Sequence, residues 1–120
     1  MEVHGHFWAG APQRGMDLIR LQWGYMLSNP NSTQSTFWEG YHKDGTFAYS
    51  GIYMSNAHGW ATGPAAALSA HVLGIRGLTP GGDSYLVSPS PGDLSHCEGS
   101  LTFTPGHRVG VKWKVYFSQT

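Results

Sequence analysis

Residues 12–28 read PQRGMDLIRLQWGYMLS, and apolar side chains recur in this segment at roughly helical spacing. The apolar positions are Met16, Leu18, Ile19, Trp23, Met26 and Leu27. The pattern predicts a helix with Arg14, Asp17, Arg20 and Gln22 on its polar side. The helix is expected to end at Asn29-Pro30-Asn31, because proline disfavours helical backbone in the residue before it.

A second helix is predicted from residue 62 or 63 to Leu73. Thr62 suits the N-cap, the first turn contains a proline, and Gly74 suits the C-cap. Between the two helices, residues 32–62 read mostly as loop and short extended segments. Within them, residues 43–46 (KDGT) predict a turn, and residues 46–49 a possible strand.

Beyond Gly77 the apolar pattern changes to period two, which is typical of strands that bury one face. Strands are predicted over Tyr85–Val87, Leu94–Glu98, Ser100–Thr104 and Arg108–Phe117, separated by segments rich in proline and glycine. The sequence thus predicts an α+β fold in which two helices and a long aromatic-rich loop precede a small antiparallel β unit. Residues 1–11 are expected to be a flexible N-terminal segment, 12–76 a helical part with the pocket loop, and 77–120 the β part, together forming one compact unit.

Composition restricts the possible partners. Seven basic and seven acidic residues among 120 give a net charge of about zero, and no basic stripe accompanies the aromatics. We therefore expect no nucleic-acid partner and no membrane partner, and no run of residues is long and apolar enough to be a membrane span. Near-zero net charge gives little protection against self-association. A homo-oligomer is expected if the chain folds alone, because apolar side chains of the first predicted helix would then be exposed.

Cofactors and location follow from what the sequence lacks. The seven histidines show no spacing typical of a metal site, so no metal is expected, and no other cofactor is expected either. The single cysteine, Cys97, excludes an internal disulfide. The N-terminus has no basic and apolar regions of a secretory signal. This favours a cytoplasmic location, or secretion if the chain is a fragment of a longer precursor.

Two short motifs place polar groups among aromatic rings. Residues 35–41 (STFWEGY) contain Glu39, and residues 55–60 (SNAHGW) contain His58. Aromatic faces stack on the apolar face of a sugar ring while a few polar groups fix its orientation. The motifs indicate a small-molecule or carbohydrate ligand, with Glu39 and His58 as catalytic candidates and Phe37, Trp38, Tyr41 and Trp60 as substrate-binding candidates. The alternative is that Trp38 and Trp60 are core residues and Glu39 lies exposed beside them.

From about Met16 to Trp113, the chain resembles the C-terminal part of fungal α-L-rhamnosidase-type glycoside hydrolases. The matching segments are DLIRLQWGYML (17–27), NPNSTQSTFWEGY (29–41), AHGWATGPAAALSAHVLGI (57–75), PSPGDLSHCEGSLTFTPG (89–106) and VGVKW (109–113). Members of that family have a catalytic six-hairpin (α/α)6 toroid followed by a β-sandwich domain. The resemblance implies that this chain corresponds to the last toroid helices and the start of the sandwich.

The resemblance also implies roles for individual residues. These hydrolases invert configuration by acid–base catalysis with two carboxylic groups. Glu39 matches the family's general base, His58 matches a residue that hydrogen-bonds the bound sugar, and Trp38 and Trp60 would form pocket walls. The family's general acid lies in an earlier segment that this sequence does not contain. Hydrolysis by the chain alone is therefore expected to be poor or absent.

Three functions remain open from the sequence. The first is a rhamnosidase-like hydrolase fragment with Glu39 as base. The second is a carbohydrate-binding module without hydrolysis, which the missing acid favours. The third is a small acid–base enzyme, such as an isomerase or cyclase of an apolar metabolite, that uses Glu39 and His58 for proton transfer.

Overall fold

The computed structural model describes residues 2–49 and 53–116. Its helices are α1 (Glu2–Trp8), α2 (Pro12–Ile19), α3 (Tyr25–Ser28) and α4 (Gly63–Ala67), with π-helical turns at Arg20–Gly24 and Leu68–Val72 and 3-10 turns at Gly59–Thr62 and Pro80–Gly82. Its strands are β1 (Ile75–Gly77), β2 (Tyr85–Val87), β3 (His96–Thr104) and β4 (His107–Lys114). The fold is α+β, as the sequence predicts.

Both predicted helices are confirmed. The first runs unbroken from Pro12 to Ser28 through α2, the first π turn and α3, and Asn29 ends it with extended backbone at ψ 124°. The second comprises α4 and the second π turn. It ends before Gly74, which has φ +86° and lies so close to Pro89 that a Cβ would stand 2.5 Å from the Pro89 nitrogen. Glycine is therefore required at this position.

The N-terminal segment, which the sequence predicts to be flexible, contains a helix. Glu2–Trp8 forms helix α1, and Val3 and Phe7, four residues apart on one face, are buried. Phe7 packs so closely over Gly15 of α2 that a Cβ there would lie 2.7 Å from the ring. Helix α1 thus contributes to the main hydrophobic core, which we call the helical core; its buried members are Val3, Phe7, Met16, Ala67 and Val72.

The β part consists of two separate antiparallel hairpins, β1–β2 and β3–β4. Strand β1 is an addition to the predicted set, and the two strands predicted over 94–98 and 100–104 form one strand, β3, that starts at His96. The alternation predicted for the last strand is confirmed, since His107, Val109, Val111 and Trp113 are half-buried between exposed neighbours. This strand ends at Lys114, and its predicted end, Phe117, lies outside the described residues.

The loop before the second helix has little regular structure. The predicted turn at residues 43–46 is confirmed, with Gly45 at φ +86° and its N–H donating to the His42 carbonyl. In place of the possible strand over 46–49 there is a single bridge between Tyr41 and Phe47.

The molecule is flat. Its extents are 46 × 45 × 24 Å and its radius of gyration is 16.7 Å, where about 13–14 Å is typical for a compact chain of this length. Its accessible surface of 7991 Å² exceeds the roughly 6,400 Å² expected for a compact monomer of its mass. In the part of the chain described here, no helix combines the length and the apolar character needed to traverse a bilayer.

Candidate functional site

Trp38 anchors the loop that carries both motifs. Its side chain is 2% exposed, and the rings of Tyr25, Tyr41 and Phe47 contact it edge-to-face at centroid distances of 5.9, 5.8 and 4.7 Å. Its backbone N–H donates to the Met26 thioether sulfur at 3.2 Å. Trp38 therefore has no exposed face on which a sugar could stack. Of the two interpretations of Trp38, a substrate-binding residue or a core residue, the structure agrees with the second.

Glu39 and His58 are brought together by backbone pairing of their two segments. The Glu39 N–H donates to the Ser55 carbonyl at 2.9 Å, and the His58 N–H donates to the Phe37 carbonyl at 2.9 Å. The Ser55 N–H donates to Glu39 Oε2 at 3.3 Å, and His58 Nδ1 lies 3.8 Å from the same oxygen. Both side chains are partly buried, at 20% exposure for Glu39 and 29% for His58.

Trp60 is the exposed indole of the site. Its side chain is 67% exposed, yet its orientation is fixed, because its Nε1–H donates to the Glu39 carbonyl at 2.8 Å and its ring lies 4.3 Å from the His58 ring. The ring is thus held beside the acid and the imidazole with much of its surface open to a ligand.

A pocket of about 380 Å³ lies next to Glu39 and Trp60. Its lining residues are Gln22, Trp23, Met26, Trp38, Glu39, Gly40, Tyr41, His42, Lys43, Trp60 and Ala61. Glu39 is the one carboxylate in this set. Gln22 and Lys43 carry polar groups to the pocket that sequence analysis missed, since the first belongs to the polar side of a helix and the second to a turn.

His58 and Phe37 line a second cavity, of about 320 Å³, together with Ser35, Thr36, Ala57, Gly59 and Thr62. Because Glu39 lines the first cavity and His58 the second, the pair stands between the two. The six predicted site residues are therefore divided: Glu39, Trp60 and Tyr41 at the first cavity, with Trp38 buried in its wall, and His58 and Phe37 at the second.

Tyr41 is held as a neutral phenol at physiological pH. Burial, and secondarily the neighbouring Tyr25, raise the pKa of the Tyr41 hydroxyl above its ordinary value. The hydroxyl donates to the Gln22 carbonyl at 3.4 Å. Tyr41 can therefore serve as a pocket wall and hydrogen-bonding group, and a role as base is disfavoured.

Metal ligation has no evident site within residues 2–49 and 53–116, where no three His, Cys, Asp or Glu side chains are grouped to hold an ion. Comparison with protein-family models and with curated proteins finds no match to this chain. The resemblance to α-L-rhamnosidases accordingly stays an interpretation of the sequence.

Proposed function

We propose that this chain binds a sugar at the Glu39–Trp60 pocket, as the general-base part of an α-L-rhamnosidase-type inverting glycoside hydrolase. The observation that carries the proposal is the Trp60 indole, which is largely exposed but held in place by its hydrogen bond to the Glu39 carbonyl. An oriented, open aromatic face next to a carboxylate is what a pyranose ring requires, since one face is apolar and its edge carries hydroxyls.

One oxygen of the Glu39 carboxylate accepts a hydrogen bond from the protein, and the other is available to a ligand. Oε2 accepts the Ser55 N–H and faces His58, whereas Oε1 has no hydrogen-bond partner among the residues described. We assign Oε1 to a sugar hydroxyl in the bound state and to the attacking water in the reaction. In an inverting reaction the water oxygen bonds to the anomeric carbon, the carboxylate takes the water proton, and the glycosidic bond breaks as a second acid protonates the leaving oxygen.

That second acid must come from outside this pocket. Inversion needs a second carboxyl group about 6.5–9.5 Å from the base, and Glu39 is the one carboxylate lining the pocket. Loss of leaving-group protonation typically costs about 10²–10⁴-fold in rate. We therefore expect the isolated chain to bind the sugar and to hydrolyse an aryl α-L-rhamnoside hardly at all.

Titration with L-rhamnose, followed by tryptophan fluorescence and by ligand-observed NMR, tests the proposal. For one shallow, open site we expect a millimolar Kd, which corresponds to about −4 kcal/mol. Trp60→Ala should abolish the response. Trp8→Ala is the matched control, because Trp8 is equally exposed, at 69%, but lies on α1. No response at about 100 mM sugar, or equal loss in both variants, would count against the proposal.

A second function is favoured by the 3.8 Å separation of Glu39 Oε2 and His58 Nδ1, which suits proton transfer on an apolar metabolite. The two functions differ in the cavity that takes the ligand. A sugar should perturb the Trp60 indole resonance, whereas an apolar probe such as cyclohexenone should perturb Phe37 and His58 in the second cavity. Chemical-shift mapping with both probes distinguishes them.

A further inference from the structure

The hairpin β1–β2 has a free edge whose hydrogen-bonding groups can be assigned from its register. Ile75 pairs with Val87, Arg76 with Leu86 and Gly77 with Tyr85. Just outside the strands, the Ser88 N–H donates to the Gly74 carbonyl at 2.9 Å, and the Leu78 N–H donates to the Ser84 carbonyl at 2.9 Å. Hydrogen-bonded and non-hydrogen-bonded pairs alternate along an antiparallel ladder. In the segment 84–88, the N–H and C=O groups of residues 84, 86 and 88 therefore point toward β1.

It follows that Tyr85 and Val87 direct their N–H and C=O groups away from β1. Within the described ranges, no backbone or side-chain hydrogen bond involves these four groups, and no strand pairs with this side of β2. The side chains of β2 are also unusually open, with Tyr85 43%, Leu86 40% and Val87 42% exposed. Every side chain of this uncharged strand is thus at least 40% exposed.

The edge also lacks the features that protect natural sheet edges. Such edges usually carry a lysine or another charge, a proline within the strand, or a covering element. Residues 84–88 (SYLVS) contain no charge and no proline. The next proline along the chain is Pro89, just beyond this segment. In an extended strand its backbone would face outward like that of residues 85 and 87, but proline has no N–H to donate.

We propose that β2 pairs edge-to-edge with β2 of a second copy of this chain, related by a two-fold axis at Leu86. In this antiparallel register Tyr85 of each copy lies opposite Val87 of the other, and both residues present outward groups. Each of the two pairs then exchanges two N–H···O bonds, so four backbone hydrogen bonds form, and Pro89 ends the ladder. The result is a continuous four-stranded sheet in the order β1–β2–β2–β1.

The chain as a whole leaves more surface uncovered than a compact monomer does. The accessible area of the chain exceeds that of a compact monomer by about 1,600 Å². A standard interface needs about 800 Å² from each partner. A second copy is favoured over an unrelated strand because the uncharged β2 is complementary to itself in this register, as an isologous two-fold contact requires. The inference is independent of sugar binding.

The test is sedimentation equilibrium of the chain and of two variants at the same position. Val87→Pro removes an outward donor from each copy, and hence two of the four bonds, while leaving the bonds to β1 in place. We expect its dimer Kd to rise at least about 30-fold. Val87→Thr keeps the N–H and the β-branched shape and should stay within a few-fold of the original chain. Far-UV circular dichroism checks that each variant is folded.

Amide exchange gives a second readout, which a fold defect would not reproduce. The N–H groups of Leu86 and Ser88 point to β1 and should be protected at all concentrations. Those of Tyr85 and Val87 should become protected only as the dimer forms. A chain that stays monomeric up to about 200 µM, or a dimer in which these two amides exchange freely, would overturn the proposal and leave the edge to another polypeptide.

Discussion

The helical core and the loop that carries the site are stabilised in different ways. The core is formed by α1, α2, α4 and the second π-helical turn, and its apolar burial is shared by five residues from three segments of the chain. The site loop, residues 29–49 and 53–62, contains no strand and is organised around the Trp38 indole. Distributed burial tolerates the loss of one contact, whereas a loop with a single large anchor does not.

The loop is attached to the first helix by hydrogen bonds from aromatic side chains. Trp23 Nε1–H donates to the Ala61 carbonyl at 2.6 Å, and the Tyr25 hydroxyl donates to the Gly45 carbonyl at 2.9 Å. Few apolar contacts and many single hydrogen bonds are typical of regions that open at a lower free energy than the core. We therefore expect the site loop to open at a lower free energy than the helical core.

The largest expected effect is that of Trp38→Ala. Removing a buried tryptophan usually costs about 3–5 kcal/mol. Here the lost contacts are those with Tyr41 and Phe47 of the site loop and with Tyr25 of α3, which hold the loop on the first helix. We expect the near-UV dichroism to weaken, because the aromatic side chains of the site loop lose their fixed packing, and the sugar response to disappear, while the far-UV helical signal remains. Thermal melts followed at both wavelengths measure this.

Trp8→Ala serves as control for that change, since its indole is exposed and should be lost at little cost. If Trp38→Ala melted as a single cooperative unit with the helices, the distinction between the two regions would be wrong.

A smaller effect is expected on acidification, and it belongs to the helical core. His71 is buried, its ring stacks on Phe7 at 4.8 Å, and its Nε2 lies 3.0 Å from Nδ1 of His4. Burial first, and then electrostatic interaction with His4 and Arg76, lower the pKa of the His71 imidazole below its ordinary value.

Because the folded-state pKa of His71 lies below the unfolded value of about 6.5, the unfolded chain binds more protons at acidic pH. Stability should therefore fall as pH decreases from about 6.5. Urea unfolding at a series of pH values should show a shallower dependence for His71→Asn, after allowing for its lower overall stability. If the stability of His71→Asn depended on pH as strongly as that of the original chain, a group other than His71 would be responsible. His96→Asn, at an exposed position, is the control.

The smallest expected effect concerns a surface ion pair that joins the first helix to the segment before β3. Arg20 Nη1 and Nη2 donate to the two Asp93 carboxylate oxygens at 2.9 Å each, and both side chains are about half-exposed. Exposed pairs are weak and are screened by salt. Asp93→Asn should lower Tm by a few degrees at most at low ionic strength, and the difference should vanish near about 1 M salt.

The sequence predicts those elements of the fold whose pattern of apolar residues lies within one continuous segment. The helix over 12–28 and the alternation of the last strand follow from periodicity, because each is long enough to show a repeat. Helix α1 has only three apolar residues, Val3, Phe7 and Trp8, which are too few to show a repeat. Its formation depends on the close approach of Phe7 to Gly15, a tertiary contact that no local pattern contains.

The same reasoning applies to the site. The pairing of Glu39 with His58 is anticipated by the two motifs, because each motif sets its polar group among aromatic rings. The motifs could not show which indole is buried, since Trp38 and Trp60 flank them alike. Packing against Tyr25 and Phe47 buries Trp38, and the hydrogen bond to the Glu39 carbonyl holds Trp60 outside.

The bond from the Trp38 amide to the Met26 sulfur has a consequence for redox chemistry. Met26 is only 4% exposed although it lines the pocket beside Glu39, so detachment of the loop should increase the access of a peroxide to its sulfur. Sulfoxide formation would then place an oxygen where the amide now sits and prevent the loop from closing again. We therefore expect oxidation of Met26 to keep the loop open until the sulfoxide is reduced, and the oxidation rate to report how often the loop opens.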